Sequence, residues 1–324
     1  MDMISLYYFT EVAKDLNITR TASRLFISQQ TLSNHIHRLE EFYNVRLFYR
    51  KPSLSLTQAG EFVLGFAEVI NKEHSNLKDI LSDIERQERG ALRFGASAMR
   101  LNLCLPSVLP AFSARYPNVE IRITDTITSR LVPLVMNGTL DFAITLNLEE
   151  SPRIIKHQLM DDQVYLCMSD SLLQTYYGPE TQALKEEALH GARVEQFAKL
   201  PFCIFDNRMG RQINQCFEAA NMKPKTYITS TYTQIGTTVC FQRLAACFAS
   251  QMSLANQIDV IPPDINIFPL YYKDDPVVQQ LSLIRLKDRY LSHYSKYFLE
   301  LLGNYFVDIE HVHLDRVVWP DLEK

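Results

Sequence analysis

Thr19-Arg20-Thr21-Ala22-Ser23-Arg24-Leu25-Phe26-Ile27-Ser28-Gln29-Gln30-Thr31-Leu32-Ser33-Asn34-His35-Ile36-His37-Arg38-Leu39 is the stretch on which the fold turns. It reads as two short helices with only Phe26-Ile27 between them. Thr19 is placed to cap the first, which passes through Ala22 and Leu25. Ser28 is placed to cap the second, its hydroxyl accepting a free backbone N–H. On that second helix, from Gln29 to Tyr43, Leu32, Ile36, Leu39 and Tyr43 step by four, three and four, which makes one buried face. Upstream, Leu6, Phe9, Ala13 and Leu16 mark an earlier helix that Asn17-Ile18 ends. Two capped helices joined by a tight turn form a helix-turn-helix.

Downstream, residues 47–56 read as two short strands around the basic turn Arg50-Lys51, a small wing. Thr57 then caps a long helix that Gly90 ends. On it Val63, Phe66, Ile70, Leu77, Leu81 and Ile84 follow heptad-like spacing, with Glu73 interrupting. A lone amphipathic helix of about 30 residues exposes too much apolar surface to stand free, so it is expected to pair with a second copy of itself.

From Ala91 the pattern changes to strands alternating with helices. Strands fit 92–96, 119–124, 142–146, 164–168, 202–205, 225–230, 245–249 and 280–285. Helices fit a segment through Leu105 and Phe112, then 131–136, 211–221, 234–243 and 293–306. Such alternation predicts parallel sheets with helices on both faces. Residues 172–200 are long for one connection and leave room for an extra helix. The last stretch, with Trp319 and Pro320, stays unassigned.

The chain has 324 residues, 47% of them hydrophobic and 22% charged, an ordinary globular composition with room for two or three domains. The N-terminus shows no signal peptide and no apolar run reaches the length of a membrane span, so the expected location is the cytoplasm. The net charge is -4. Residues 1–60 nevertheless carry Lys14, Arg20, Arg24, Arg38, Arg46, Arg50 and Lys51 against Asp2, Glu11, Asp15, Glu40 and Glu41, a mild basic excess. The six cysteines form no CxxC and read as buried thiols. His35 and His37 lie two apart on a helix and face different directions, so they are no metal pair. His311 and His313 would align on an extended tail, but two ligands make no site. No metal or other cofactor is expected. Gly95-Ala96-Ser97-Ala98-Met99 lacks the last glycine of a nucleophile elbow, and no GxGxxG or P-loop occurs, so catalysis is not expected.

Residues 17–60 resemble the LysR family of bacterial transcriptional regulators. Thr19 to Gln29 looks like the family's capped second helix and turn, and Ser33, Ile36, Leu39-Glu40, Leu47-Phe48, Arg50 and Leu56-Thr57-Gln58-Ala59-Gly60 then fall at the family's spacings. The likeness continues more loosely to about residue 300, through Leu92-Arg93-Phe94-Gly95, Phe112 to Pro117, and Asn137-Gly138-Thr139-Leu140-Asp141-Phe142-Ala143-Ile144. It implies an α/β protein in three parts: a winged helix-turn-helix at 1–58, a linker helix for dimerisation at 59–89, and a two-lobed α/β effector domain like periplasmic binding proteins. Lobe I would take 90–162 and 268–301, lobe II 163–267, and 302–324 would form a tail. The family usually acts as a dimer of dimers on interrupted palindromes, with RNA polymerase as a further partner. Four departures stand out: Asn44 for a glycine ending the recognition helix, Gln30 for a proline, Ser53 for a second basic wing residue, and Arg243-Leu244-Ala245-Ala246 for a glycine-rich strand approach.

With Leu32, Ile36 and Leu39 turned inward, the outer face of helix 29–43 shows Gln30, Thr31, Asn34, His37 and Arg38, with Gln29 and Ser33 at its margins. A major groove admits one such helix. Asn34 is suited to adenine and Arg38 to guanine or phosphate. Arg50 and Lys51, with Ser53 beside them, are placed to meet the phosphate backbone.

In two-lobed receptors ligands bind between lobes, at strand ends and helix N-termini. Ser97 and the Thr128-Ser129 pair occupy such turns, where hydroxyls and free N–H groups suit a polar or anionic inducer. Arg100 is a candidate partner for an anion. The resemblance adds Thr145 to the Ser97 and Thr128 side of the cleft and places residues around Cys203 opposite. Cys216, with Cys203 upstream, loosely resembles peroxide-sensing members and opens a thiol-switch alternative. Use of the domain for solute binding alone is another.

Overall fold

The computed structural model describes residues 2–51, 53–85, 89–148, 151–314 and 316–318. The helix-turn-helix is there, built from α1 (Met3–Asp15), α2 (Ile18–Arg24) and α3 (Gln29–Tyr43). Ser28 caps α3 as its sequence predicts, accepting from the Thr31 N–H. Thr19, by contrast, lies inside α2. The cap is Asn17, whose side chain accepts from the Arg20 N–H. Asp15 fixes this earlier start by accepting from the Thr21 hydroxyl and from the Arg24 guanidinium. Asn44 takes the left-handed conformation at the end of α3, φ 51°, which Asn tolerates better than other side chains with a Cβ.

The wing is the antiparallel pair β1 (Phe48–Tyr49) and β2 (Ser55–Leu56). Thr57 then caps α4 (Gln58–Ile84) through the Gly60 N–H. Leu6, Phe9, Leu32, Ile36, Leu39, Leu47 and Ala67 form the core of this domain. Val63 and Ile70, which the heptad reading sets on the pairing seam, pack against that core instead, because α4 runs alongside α1. The stripe that stays exposed is Phe62, Phe66, Val69, Leu77, Leu81 and Ile84.

The remainder consists of β3 (Gly90–Ala96), α5 (Ala98–Arg115), β4 (Val119–Asp125), α6 (Thr128–Met136), β5 (Phe142–Leu146), β6 (Ile154–Ser169), α7 (Asp170–Tyr177), α8 (Thr181–Ala188), β7 (Pro201–Phe205), α9 (Arg208–Ala219), β8 (Lys225–Ser230), α10 (Thr233–Phe241), β9 (Cys247–Ser250), α11 (Gln251–Ala255), β10 (Ile265–Pro269), β11 (Tyr271–Tyr272), β12 (Asp275–Pro276), β13 (Val278–Leu286) and α12 (His293–Glu310). The sheets are mixed, not parallel throughout. β3 pairs in parallel with β4 and β5, and β7 with β8. The long strands β6 and β13 run antiparallel to each other over nearly the whole length of β13, and β9 and β10 also pair antiparallel to β6. Residues of β6 therefore serve two cores. Met160 belongs to a first, with Phe94, Phe112, Phe142 and Phe298. Val164–Met168 belong to a second, with Phe202, Phe217, Phe248 and Phe268. These are the two lobes. The room within 172–200 is filled by α7 and α8.

Two polar assemblies tie these parts together. On the flank of the first lobe, Arg289 meets Asp141 at 2.6 Å and Asp79 of α4 at 3.3 Å. The Tyr294 hydroxyl donates to Asp79 at 2.9 Å, and the Arg93 N–H to Asp141 at 2.8 Å. Asp79, Asp141 and Arg289 are all buried.

The second assembly holds the tail beyond α12. Leu314 enters the core of the second lobe, Arg316 bridges to Ile267, and the Val318 N–H donates to Asn266 at 2.7 Å. Lys185, fully buried, donates to Asp170 and to the Val318 carbonyl. Since α12 packs in the first lobe, the tail straps one lobe to the other. Residues 319–324, Trp319 and Pro320 among them, lie outside the described residues.

Candidate DNA-reading face and interlobe site

The folding of α3 decides what its outer face offers. Leu32, Ile36 and Leu39 are buried, which leaves Gln29, Gln30, Thr31, Asn34, His37 and Arg38 exposed and Ser33 half-buried. Gln29 is held by the Thr19 hydroxyl at 3.2 Å, so the first turns of α2 and α3 lie side by side. His37 pairs with Glu41 at 3.2 Å, and Arg38 borders a shallow groove with Asp2, Glu41 and Phe42. His35 turns the other way, its Nδ1 2.8 Å from the Ser5 hydroxyl. On the wing, Arg50, Lys51 and Ser53 are exposed. Arg50 is steadied by Glu40 at 3.6 Å, and Glu40 also accepts the Leu47 N–H at 2.9 Å. Recognition helix and wing thus share one carboxylate. The Glu11–Arg24–Asp15 ion network holds α1 against α2 on another side. Burial alone would raise the Glu11 pKa, but hydrogen bonds from Lys14 and Arg24 outweigh it and hold the pKa below the usual carboxylate range.

Between the lobes, the sequence-selected residues separate into two groups. Ser97 stands at the N-cap of α5, yet its hydroxyl caps nothing and accepts from Arg100 at 3.1 Å. Arg100 is buried and reaches Gln279 at the start of β13 at 3.3 Å. Gln279 in turn donates to Gln212 of α9, in the second lobe, at 3.1 Å. Thr233 of α10 donates to the Met99 sulfur at 3.5 Å. Ser97, Arg100, Gln279 and Gln212 therefore make a polar chain from lobe to lobe. Burial lowers the Arg100 pKa, which the nearby Asp162 charge opposes, and burial raises that of Asp162. The guanidinium Nε has no hydrogen-bond partner. Sequence reasoning missed Gln212 and Gln279. Neither carries a local signal: the pairing of β13 with β6 sets Gln279 beside Arg100, and α9 brings Gln212 to Gln279.

The other residues stand apart from this chain. Thr128 accepts from the Leu146 N–H at 3.3 Å, and Ser129 is exposed on the first turn of α6. The buried Thr145 hydroxyl donates to the Ser282 carbonyl at 3.3 Å. Cys203, expected to face the cleft, is enclosed in the core of the second lobe, since β7 lies between β8 and the Ala246 bridge. Burial pushes its thiol up to about 12 and that of Cys216 up to about 11. Thiolate is the reactive form, so both cysteines are poorly suited to a thiol switch. At the altered glycine site Arg243 itself takes the left-handed conformation, φ 63°. A two-pronged ion pair to Asp264, at 2.7 and 2.9 Å, anchors its side chain there. Among the described residues no group of histidine, cysteine and acidic side chains is arranged to hold a metal ion, and no helix is long and apolar enough to cross a membrane.

A winged helix-turn-helix on a long helix, followed by a two-lobed α/β receptor, defines a DNA-binding regulator with a sensing domain. Comparison with known proteins agrees. Residues 3–61 match the bacterial regulatory helix-turn-helix of the lysR family, and residues 85–306 match the LysR substrate binding domain. The chain belongs to the LysR family of transcriptional regulators. It is 24% identical over 314 residues to YcgK, an uncharacterized HTH-type transcriptional regulator of Bacillus subtilis, covering 93% of this chain and 94% of the relative. It is 26% identical over 236 residues to CysB of Haemophilus influenzae, covering 71% and 70%. In fold it is similar to full-length OxyR of Pseudomonas aeruginosa, TM-score 0.66 at 16% identity over 94% of both chains. It is also similar to CbnR, a LysR family transcriptional regulator, at TM-score 0.56 and 18% identity over 94% and 99%. CbnR has also been solved with its target DNA.

Proposed function

We propose that this regulator reads an interrupted palindrome of duplex DNA through α3 and the wing, and that a small molecule bound between the lobes modulates this. The exposed polar face of α3 carries the reading. Gln29, Gln30, Thr31, Ser33, Asn34, His37 and Arg38 face the groove, while Arg50, Lys51 and Ser53 meet phosphate. The apolar stripe from Phe62 to Ile84 supports pairing of α4 with a second copy, the two α3 helices of such a pair fit the two halves of a palindrome, and two pairs make the dimer of dimers. The inducer is polar or anionic and takes its place beside Ser97, Arg100, Thr128 and Ser129. The buried guanidinium with its free Nε favours an anionic group there. The chain acts in the cytoplasm as a regulator, not an enzyme, with RNA polymerase as a further partner.

The test is a genome-wide map of bound DNA with Arg38→Ala beside the native chain. Discrete peaks that share an interrupted palindrome and vanish in the variant are expected. Diffuse binding, unchanged in the variant, contradicts the reading. In purified form, Asn34→Ala shifts base preference at one half-site position, whereas Lys51→Ala weakens binding to all sequences alike.

A further inference from the structure

The turn of the helix-turn-helix contains a side chain that folding does not explain. α2 ends in a Schellman arrangement: the Ile27 N–H bonds back to the Ala22 carbonyl at 3.1 Å and the Phe26 N–H to the Ser23 carbonyl at 3.3 Å. This motif places its penultimate residue in the left-handed region, where glycine is preferred. Here that residue is Phe26, at φ 55°. The strain has no visible return within the chain, because the ring is 95% exposed. Other residues at positive φ differ. Asn44, Asn147 and Asn221 have the side chain that best tolerates it, Arg243 is anchored by Asp264, Lys273 lies over the Tyr272 ring, and Leu16, the φ 44° cap of α1, is 43% exposed and so more than half covered. A bulky residue at positive φ with nothing packed on it points to a role outside the folded monomer.

Its place says which role. Phe26 stands two residues before Ser28, the cap of α3, and three before Gln29. The Thr19–Gln29 hydrogen bond holds the neighbouring turn of α2 against this end of α3. The N-terminal half of such a helix enters the major groove, so a side chain projecting from the turn meets the groove edge. The apolar surfaces available there are thymine methyl groups and deoxyribose.

We infer that Phe26 is a further DNA-contacting residue, its ring covering apolar surface of the half-site beside the bases read by the first turn of α3. This rests on the reading of α3 as the recognition helix.

The probe is a duplex selected from random-sequence DNA by the full chain. Phe26→Asn and Phe26→Gly relieve the backbone, so both variants should melt higher, by on the order of 2–4 °C or less for a chain of this size. Both should bind the selected duplex about tenfold more weakly, while Phe26→Leu keeps most of the affinity. Uracil in place of thymine separates the two surfaces. A position where the native chain loses affinity but Phe26→Asn loses no more marks a methyl contact, and no such position marks deoxyribose. Undiminished binding by Phe26→Asn overturns the inference, as does a change in its oligomeric state that accounts for the weaker binding. Asn34→Ala and Lys51→Ala serve as controls. If they weaken binding and Phe26→Asn does not, only this inference falls; if none of the three does, the reading of α3 falls with it.

Discussion

Replacing Arg289 by methionine tests how α4 is held to the first lobe. Arg289 is 5% exposed and touches both Asp141 and Asp79. Removing one partner of a buried ion pair costs about 3–5 kcal/mol, because the other charge is left without compensation. Two features move the expected loss to the lower end. Asp141 keeps the Arg93 N–H and its guanidinium at 3.6 Å, and Asp79 keeps the Tyr294 hydroxyl. Methionine also preserves most of the packing. A loss of about 3 kcal/mol at neutral pH follows. Its pH dependence has a definite sign. Burial first, and then the charge of Asp141, raise the Asp79 pKa, while Tyr294 and Arg289 oppose this. A carboxyl whose folded pKa lies above its unfolded one destabilises the fold in its ionised form. Stability therefore falls as pH climbs through the folded pKa and returns on acidification. Arg289→Met raises that pKa further, so its deficit should shrink in mildly acidic buffer. Native-state hydrogen exchange of the β3 and α4 amides measures the local free energy. A deficit below about 1 kcal/mol, or one equal in neutral and acidic buffer, refutes the assignment of this network as the clamp.

Three other outcomes are expected. A Cβ on Gly210 would lie 1.7 Å from the Phe205 carbonyl oxygen, so Gly210→Ala should force α9 off β7 and cost about 1–3 kcal/mol or more; an unchanged melting temperature contradicts that close approach. The pKa values of Glu11 and Asp15 are held low, against burial, by hydrogen bonds from Lys14 and Arg24 and from Arg24 and Thr21 respectively. The stability they add is present above the ordinary carboxylate range and is lost as pH falls through the depressed values. Arg24→Ala should flatten this acid limb in an acid titration of hydrogen exchange in α1 and α2, and an unchanged limb would mean that the network adds no stability. Lys185→Ala and truncation after Glu310 both undo the docking of the tail, so in thermal melts their combined effect should fall short of the sum of the two; strict additivity means that the lysine and the tail act separately.

The parts of the fold that were legible in the sequence rest on local chemistry. Ser28 and Thr57 cap their helices as read, because a cap needs only its own next turn. Thr19 failed as a cap because Asn17 also competes, and Asp15, in the preceding helix, decides the contest. On α4 the heptad spacing is real, but the helix has two apolar faces, and spacing cannot say which is spent on its own domain. Val63 and Ile70 went to that core, while Phe62 and Val69 did not. Strand direction was illegible for a similar reason: alternation marks a strand but not its sense, so the antiparallel run of β6 with β13 appears only in three dimensions. In the site, Ser97 and Arg100 carry a signal at a strand end. Gln212 and Gln279 lie 67 positions apart and meet by topology alone. Among the described residues the tail holds on through one bridge and a few side chains, a pattern with no period to read.

That tail has a consequence for exchange of parts between related genes. A lobe entered once and left once is a contiguous insert that recombination can replace whole. The strap adds a third crossing, with Leu314 seated in the second lobe and Lys185 closing over Val318. A transplanted second lobe that leaves its own strap behind would arrive with an open seam and a buried lysine that keeps Asp170 but lacks its carbonyl acceptor. Swaps confined to one segment are thus penalised, and the lobe and the strap should be inherited as one unit.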